Sequence, residues 1–266
     1  MSDPAARPGL LLFISLLLLL ALSAAAFSGC GQGAVQEETE PDRETFFQVS
    51  TMGALKSGFY DGIVSYAELS EHGDAGIGTL EGLDGEMIAL DGDFYQIRHD
   101  GKVYDIDGTA IAPFAMVTFF DRDMETVPPL GLDYAGLQDF LNGFLPSENV
   151  FYAIRIEGEF EHVQARSVPA QEKPYPPLSE AIADQAVFEL ENVEGTMVGF
   201  WCPAYVGDIN APGYHLHFLT ADHEAGGHVL EMRLGEVKVY IDETPEFLLQ
   251  LPEIKEFLEA DITPPA

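Results

Sequence analysis

Apolar residues run almost unbroken from Leu10 to Leu22 after Arg7, then give way to small residues ending at Cys30. A hydrophobic stretch closed by small residues before a cysteine has the form of a secretion signal with a lipobox. Residues 1–30 are therefore expected to be an export segment, cleaved and lipidated at Cys30. Simple cleavage or a retained anchor are the alternatives, although the run is short for a spanning helix. Residues 31–45 (GQGAVQEETEPDRET) are polar and acidic and read as a tether.

Beyond residue 45 the apolar positions come in short pieces. Residues 46–66 alternate loosely and predict a strand or short helix. Met87 to Leu90 and Phe94 to Ile97 are separated by Asp91-Gly92, and Asp100-Gly101 follows, which predicts hairpins. Strands continue through Val103-Tyr104 and Phe114 to Phe120. Leu137, Phe140, Leu141 and Phe144 take up helical spacing before Pro146. Residues 151–160 (FYAIRIEGEF) alternate as a strand. Prolines 169, 174, 176 and 177 make 169–180 a stiff connector and the best domain boundary. A helix from Glu180 to Phe188, capped by Ser179, is expected next. Strands follow over 194–201, 213–220, 227–233 and 236–241, and helical turns between Pro245 and Leu258. The pattern sums to two α/β units, 46–168 and 169–266, the second smaller and mostly antiparallel.

Composition narrows the function. The chain has 12 Lys and Arg against 45 Asp and Glu, a formal charge of -33. Phosphate backbones would be repelled, which excludes nucleic acid as a partner. The acidity reads as a surface adaptation to a salty medium. A small anionic substrate would still need a local positive centre, so the few arginines and any bound metal gain interest. Only two cysteines occur, Cys30 and Cys202. If Cys30 is removed or acylated no intrachain disulfide can form, and Cys202, within GFWCPAY, is expected to be a buried free thiol, with a Cys30–Cys202 bridge as the alternative.

The most informative stretch is GYHLHFLTADHEAGGHVLEM, residues 213–232. On a strand, His215 and His217 share one face, roughly 7 Å apart along the chain. The acidic, glycine-bearing turn then returns His228 on the next strand, where pairing with His217 would gather three imidazoles. Three nitrogen ligands with an open position is how catalytic zinc is commonly held. The alternative is ordinary hydrogen-bonded rings at a sheet surface. His223 in the acidic turn could replace one ligand but is expected to face solvent. His72, His99 and His162 lie beside carboxylates and read as structural or surface groups.

The chain resembles the acetolactate decarboxylase family. The blocks that carry the resemblance are EHGDAGIGTLEGLDGEMIALDGDFYQI at 71–97, APFAMVTFF at 112–120, RSVPAQEKPYPPL at 166–178, and GYHLHFL with GGHVL. They occur in order over roughly 46–260. The resemblance implies a two-domain α/β fold of mixed and antiparallel sheets, a zinc site near the domain interface, and a homodimer. It matches His215, His217 and His228 to zinc ligands, Glu86 to an active-site glutamate and Arg166 to an active-site arginine. The glycine-rich block around Thr79 would shape the approach to the site. The family adds a glutamate from a C-terminal tail; no segment here matches it, and Glu259 is the candidate by position.

The activity implied is decarboxylation of a small anionic 2-hydroxy-3-oxo acid, 2-acetolactate, to acetoin and carbon dioxide. Zinc would act as a Lewis acid and stabilise the developing enediolate. The alternatives are a non-catalytic, surface-tethered metal-binding domain and a zinc hydrolase.

Overall fold

Short apolar pieces punctuated by glycine and aspartate cannot sustain long helices, and the computed structural model, which describes residues 41–260 and 262, is accordingly rich in strands. The expected export segment, and the expected tether up to residue 40, lie outside the described residues. The first strands are β1 (Thr45–Val49), β2 (Val64–Ser65), β3 (Ala75–Thr79), β4 (Glu86–Leu90), β5 (Asp93–Ile97), β6 (Val103–Asp105) and β7 (Ile111–Ala112). After them come β8 (Phe114–Thr118), β9 (Met124–Thr126), β10 (Phe151–Ser167), β11 (Ala186–Cys202), β12 (Gly213–Thr220), β13 (Gly226–Thr244) and β14 (Glu246–Gln250).

One mixed sheet has the order β14-β1-β8-β3-β4-β5-β6, with β14 parallel to β1. The expected Asp-Gly hairpin joins β4 to β5: Asp91 and Gly92 both take positive φ, 54° and 88°, which suits a tight two-residue turn. A second, antiparallel sheet runs β10-β11-β12-β13-β9, and β10 also pairs with β13, so four of its strands close on themselves. The interior of that ring is apolar, with Ile154, Ile156, Phe160, Phe218 and Leu234 all buried, and the helix Tyr134–Asn142 adds Leu137 and Leu141. Asp133 caps that helix by accepting from the Gly136 amide at 2.8 Å. Ile88 and Ile97 of the mixed sheet meet Val198 and Leu219 of the ring, which joins the two sheets face to face. Among the described residues no helix is long and apolar enough to cross a membrane. Cys202 is a buried free thiol whose pKa burial pushes up to about 12.

Several expectations change. The proline-rich connector at 169–177 links β10 to β11, neighbours in one sheet, so β10 joins the strands beyond the expected boundary at 168. The helix expected over 180–188 ends by Asp184. Ala186, Val187 and Phe188 pair with Ser167, Arg166 and Ala165, and the backbone ladder to β10 outweighs their local helical pattern. The strands expected at 227–233 and 236–241 are one strand, β13, whose pairing with β10 absorbs register shifts on both sides of Phe160. The segment after Pro245 opens as β14, and only Lys255–Leu258 is helical.

Asp242, on β13, is buried at 1% exposure and accepts from the Asp121 amide at 3.1 Å. Desolvation first, with the charges of Asp123, Asp121 and Glu44 adding to it, raises its pKa from 3.8 to about 7, against the pull of the Asp121 hydrogen bond. The unfolded chain then binds fewer protons than the folded one between those values. The destabilisation is absent below the unfolded pKa, grows as pH rises, and is complete above about 7. Asp242→Asn keeps an acceptor for Asp121 and removes the charge. It is expected to raise the melting temperature at pH 8, by at most about 4 kcal/mol of stability, with the gain vanishing near pH 4. Equal gains at both pH values in thermal melts would contradict this.

Candidate active site

Strand period brings the three histidines together. His215 and His217 lie two apart on β12, and His217 pairs directly with His228 on β13. β12 can approach β11 because Gly199 stands opposite Leu216; a Cβ there would run into the His215 carbonyl. His228 Nδ1 lies 3.1 Å from His215 Nε2 and 3.3 Å from His217 Nε2. His217, 1% exposed, donates from Nδ1 to the Met87 carbonyl at 2.7 Å, which leaves Nε2 as a bare lone pair.

One N–H cannot serve both contacts of His228 Nδ1, so lone pairs confront each other at the centre of the cluster. A cation between them would relieve that repulsion. Loss of water, the largest cause in each case, lowers the pKa of His215 to about 4 and those of His217 and His228 well below the ordinary value; Arg166 depresses all three further. The rings are thus neutral donors near pH 7. His215 Nδ1 is buried without a partner. These three residues can hold a metal ion.

Arg166 and Glu86, 80 positions apart, complete the site. Arg166 stands on β10 directly opposite His228. It donates to Glu86 Oε1 at 2.6 Å, and Glu86 Oε2 is 3.5 Å from His217 Nε2. Glu86 begins β4 just after Gly85, whose φ of 83° and close approach to the Ile97 carbonyl exclude a side chain. Burial raises the Glu86 pKa and Arg166 works against that rise. Thr79 donates to the Gly85 carbonyl at 2.7 Å and so holds the turn before Glu86.

The three histidines, Arg166, Glu86 and Thr79 line one cavity of about 240 Å³. The rest of the lining is mainly apolar and includes Met52, Leu55, Leu83, Phe114 and Leu178 beside Tyr214. That lining has a faint signal in the sequence, the three-residue spacing of Met52 and Leu55; the Met87 carbonyl has none, being backbone.

The remaining histidines are elsewhere. His223 sits in the turn with φ 55°, edge-on to Tyr95 at 4.7 Å. His162 contacts Glu189 at 2.8 Å, His99 meets the Asp184 carbonyl at 3.2 Å, and His72 stacks on Phe47. Glu259 is exposed, 3.9 Å from Lys255, and does not line the cavity.

Known proteins share both sequence and fold with this chain. The profile of the alpha-acetolactate decarboxylase family matches residues 46–264. The chain is 48% identical over 219 residues to the alpha-acetolactate decarboxylase of Methanosarcina mazei, covering 82% of this chain and 76% of that one. With the enzyme of Methylococcus capsulatus the identity is 49% over 216 residues, covering 81% and 83%. The crystal structure of alpha-acetolactate decarboxylase from Bacillus subtilis strain 168 superposes with a TM-score of 0.81 at 42% identity, covering 83% of this chain and 94% of that one. Identity at this level over 81–83% of the chain, with the fold in agreement, shows that the chain belongs to the alpha-acetolactate decarboxylase family and is an enzyme of that class.

Proposed function

We propose that His215, His217 and His228 hold zinc and that the chain decarboxylates 2-acetolactate to acetoin and carbon dioxide in this cavity. The observation that carries the reading is the bare Nε2 of His217 facing His228 Nδ1 at 3.3 Å, beside the Arg166–Glu86 pair. Tetrahedral zinc with bonds of about 2.0–2.1 Å needs nitrogens about 3.3 Å apart, in keeping with the 3.1 and 3.3 Å contacts of His228 Nδ1. Zinc, when bound, supplies a Lewis acid for the oxygen that gains charge as carbon dioxide leaves.

The chain's own residues do the rest. Arg166 offers a planar guanidinium to a substrate oxygen while one nitrogen stays with Glu86. That contact fixes the substrate's orientation relative to the histidines. Glu86 Oε1 is occupied by Arg166, so Oε2 is the atom available to hold and deliver a proton, and burial favours the protonated form. Delivery from one fixed atom gives acetoin a single configuration. The apolar wall keeps bulk water from competing for that proton.

Metal removal tests the reading. Elemental analysis of active protein is expected to give one zinc per chain, and chelation should abolish turnover until zinc returns. Full activity in metal-free protein would exclude the mechanism.

Export and assembly belong to the same proposal. Leu10 to Cys30 supports an extracytoplasmic, lipid-tethered protein, and the membrane then enters through the N-terminus alone. A homodimer is supported by β14, which among the described residues pairs on one edge only and exposes Leu248, with exposed Leu251 just beyond. Native mass spectrometry of protein from its own host should therefore find two chains, each beginning at an acylated Cys30. A single chain with an unmodified cysteine would contradict both halves.

A further inference from the structure

The apolar lining of the cavity is only partly on strands: Phe114 begins β8, whereas Met52, Leu55 and Leu178 come from short helices. The histidines, Arg166 and Glu86 stand on β12, β13, β10 and β4, where ladders to neighbouring strands fix them. Met52 and Leu55 instead come from the short helix Met52–Lys56, and Leu178 from the helix Leu178–Ala181, which touches it. Met52 and Leu55 are three residues apart and share one helix face. Thr51 caps that helix by accepting from Ala54, and the Met52 and Gly53 amides donate to the Ile209 and Asp208 carbonyls at 3.0 and 2.8 Å. Leu178 arrives at the end of the proline-rich connector, which is pinned where the Gln171 amide donates to the Gly82 carbonyl at 2.7 Å. Met52 and Leu55 are each 7% exposed; Leu178 is half-buried.

Substrate stereochemistry turns this division into a specificity argument. The carbon that loses carbon dioxide is tetrahedral and carries a hydroxyl, a carboxylate, an acyl group and one alkyl group. When its three oxygen-bearing substituents face the strand wall of imidazoles, guanidinium and carboxyl, the fourth must point away from it. Beside Thr79 and Tyr214, the rest of the lining offers hydrocarbon from Met52, Leu55, Leu83, Phe114 and Leu178, where an alkyl group loses no hydrogen bond. We propose that Met52, Leu55 and Leu178 set the length of the alkyl substituent that the enzyme accepts on the hydroxyl-bearing carbon. The inference rests on the decarboxylase reading of the same cavity. A polar or charged substituent there would lose its water with no hydrogen-bonding side chain among these three to replace it, so the site selects hydrocarbon and limits its length.

The test is a series of 2-hydroxy-3-oxo acids bearing methyl, ethyl or propyl on the hydroxyl-bearing carbon, run with Leu55→Ala, Leu178→Ala and Leu178→Phe. One methylene in a fitted apolar pocket discriminates by roughly 10–200-fold. The propyl-to-methyl ratio of kcat/KM is therefore expected to rise at least about tenfold in both alanine variants and to fall in Leu178→Phe. Calorimetry with the unreactive 2,3-dihydroxy-2-alkylbutanoates should show the same order in binding, independent of turnover. Should Leu55→Ala fail to fold, the two variants at half-buried Leu178 decide alone. Ratios within twofold of wild type in every folded variant would overturn the proposal. Turnover that persists without zinc would instead overturn the metal reading and leave the length measurement standing.

Discussion

His217→Ala is expected to lose its metal and at least about a thousandfold in turnover, on the order of 4 kcal/mol of transition-state stabilisation. His217 is the most buried of the three imidazoles, at 1% exposure. Its Nδ1 is committed to the Met87 carbonyl, so its Nε2 is held both in direction and in tautomer before any ion arrives. The other two rings cannot replace it: His215 and His228 contact each other at 3.1 Å and supply only two of the three donors. The substitution also leaves the Met87 carbonyl without its partner, a cost of about 1–3 kcal/mol if no water enters. A modest drop in melting temperature should therefore accompany the loss, without unfolding. His223→Ala is the control, because that ring lies in the turn against Tyr95 and touches none of the three. Metal analysis beside steady-state kinetics reads the result. Retained zinc in His217→Ala, or its loss in His223→Ala, would show that the cluster is not the metal site.

What the sequence reveals, and what it conceals, follows from how local each feature is. The β4–β5 hairpin is legible because Asp91-Gly92 alone meets the backbone demand of the turn. The histidines are legible because a period of two admits one arrangement on a strand, and the paired residue is only eleven positions away. By contrast, β14 pairs with β1 in the register Thr45 to Glu246, and no local pattern near Pro245 announces a partner so distant. Val187 and Phe188 look helical until β10 offers its ladder. The length of β13 is concealed by Gly235, which suggests a break where pairing in fact continues through shifts of register. Glu86 and Arg166 carry no periodic signal; resemblance to the family points to them, and the fold brings them within 2.6 Å.

Arg166→Lys should retain the fold and the metal yet lose at least about tenfold in turnover, roughly 1.4 kcal/mol. The native guanidinium does two things at once: one nitrogen donates to Glu86 Oε1, and the same planar fork lines the cavity beside His228, its cross-strand partner. An ammonium keeps the charge but concentrates it on one flexible point, so it can satisfy Glu86 or a substrate oxygen without fixing the angle between them. Folding should tolerate the change even though the side chains of Arg166 and Glu86 are only 16% and 8% exposed, because the charge pairing survives. Arg166→Ala provides the contrast. It leaves the Glu86 carboxyl in a desolvated site without the cation that now opposes the rise in its pKa. The limb of the pH–rate profile that reports Glu86 should then move to higher pH in the alanine variant and stay close to wild type in the lysine variant. That separation distinguishes a residue that orients substrate from one that only balances charge. Lysine kinetics indistinguishable from wild type, with zinc content unchanged, would remove the guanidinium fork from the mechanism and reduce Arg166 to a counter-ion for Glu86.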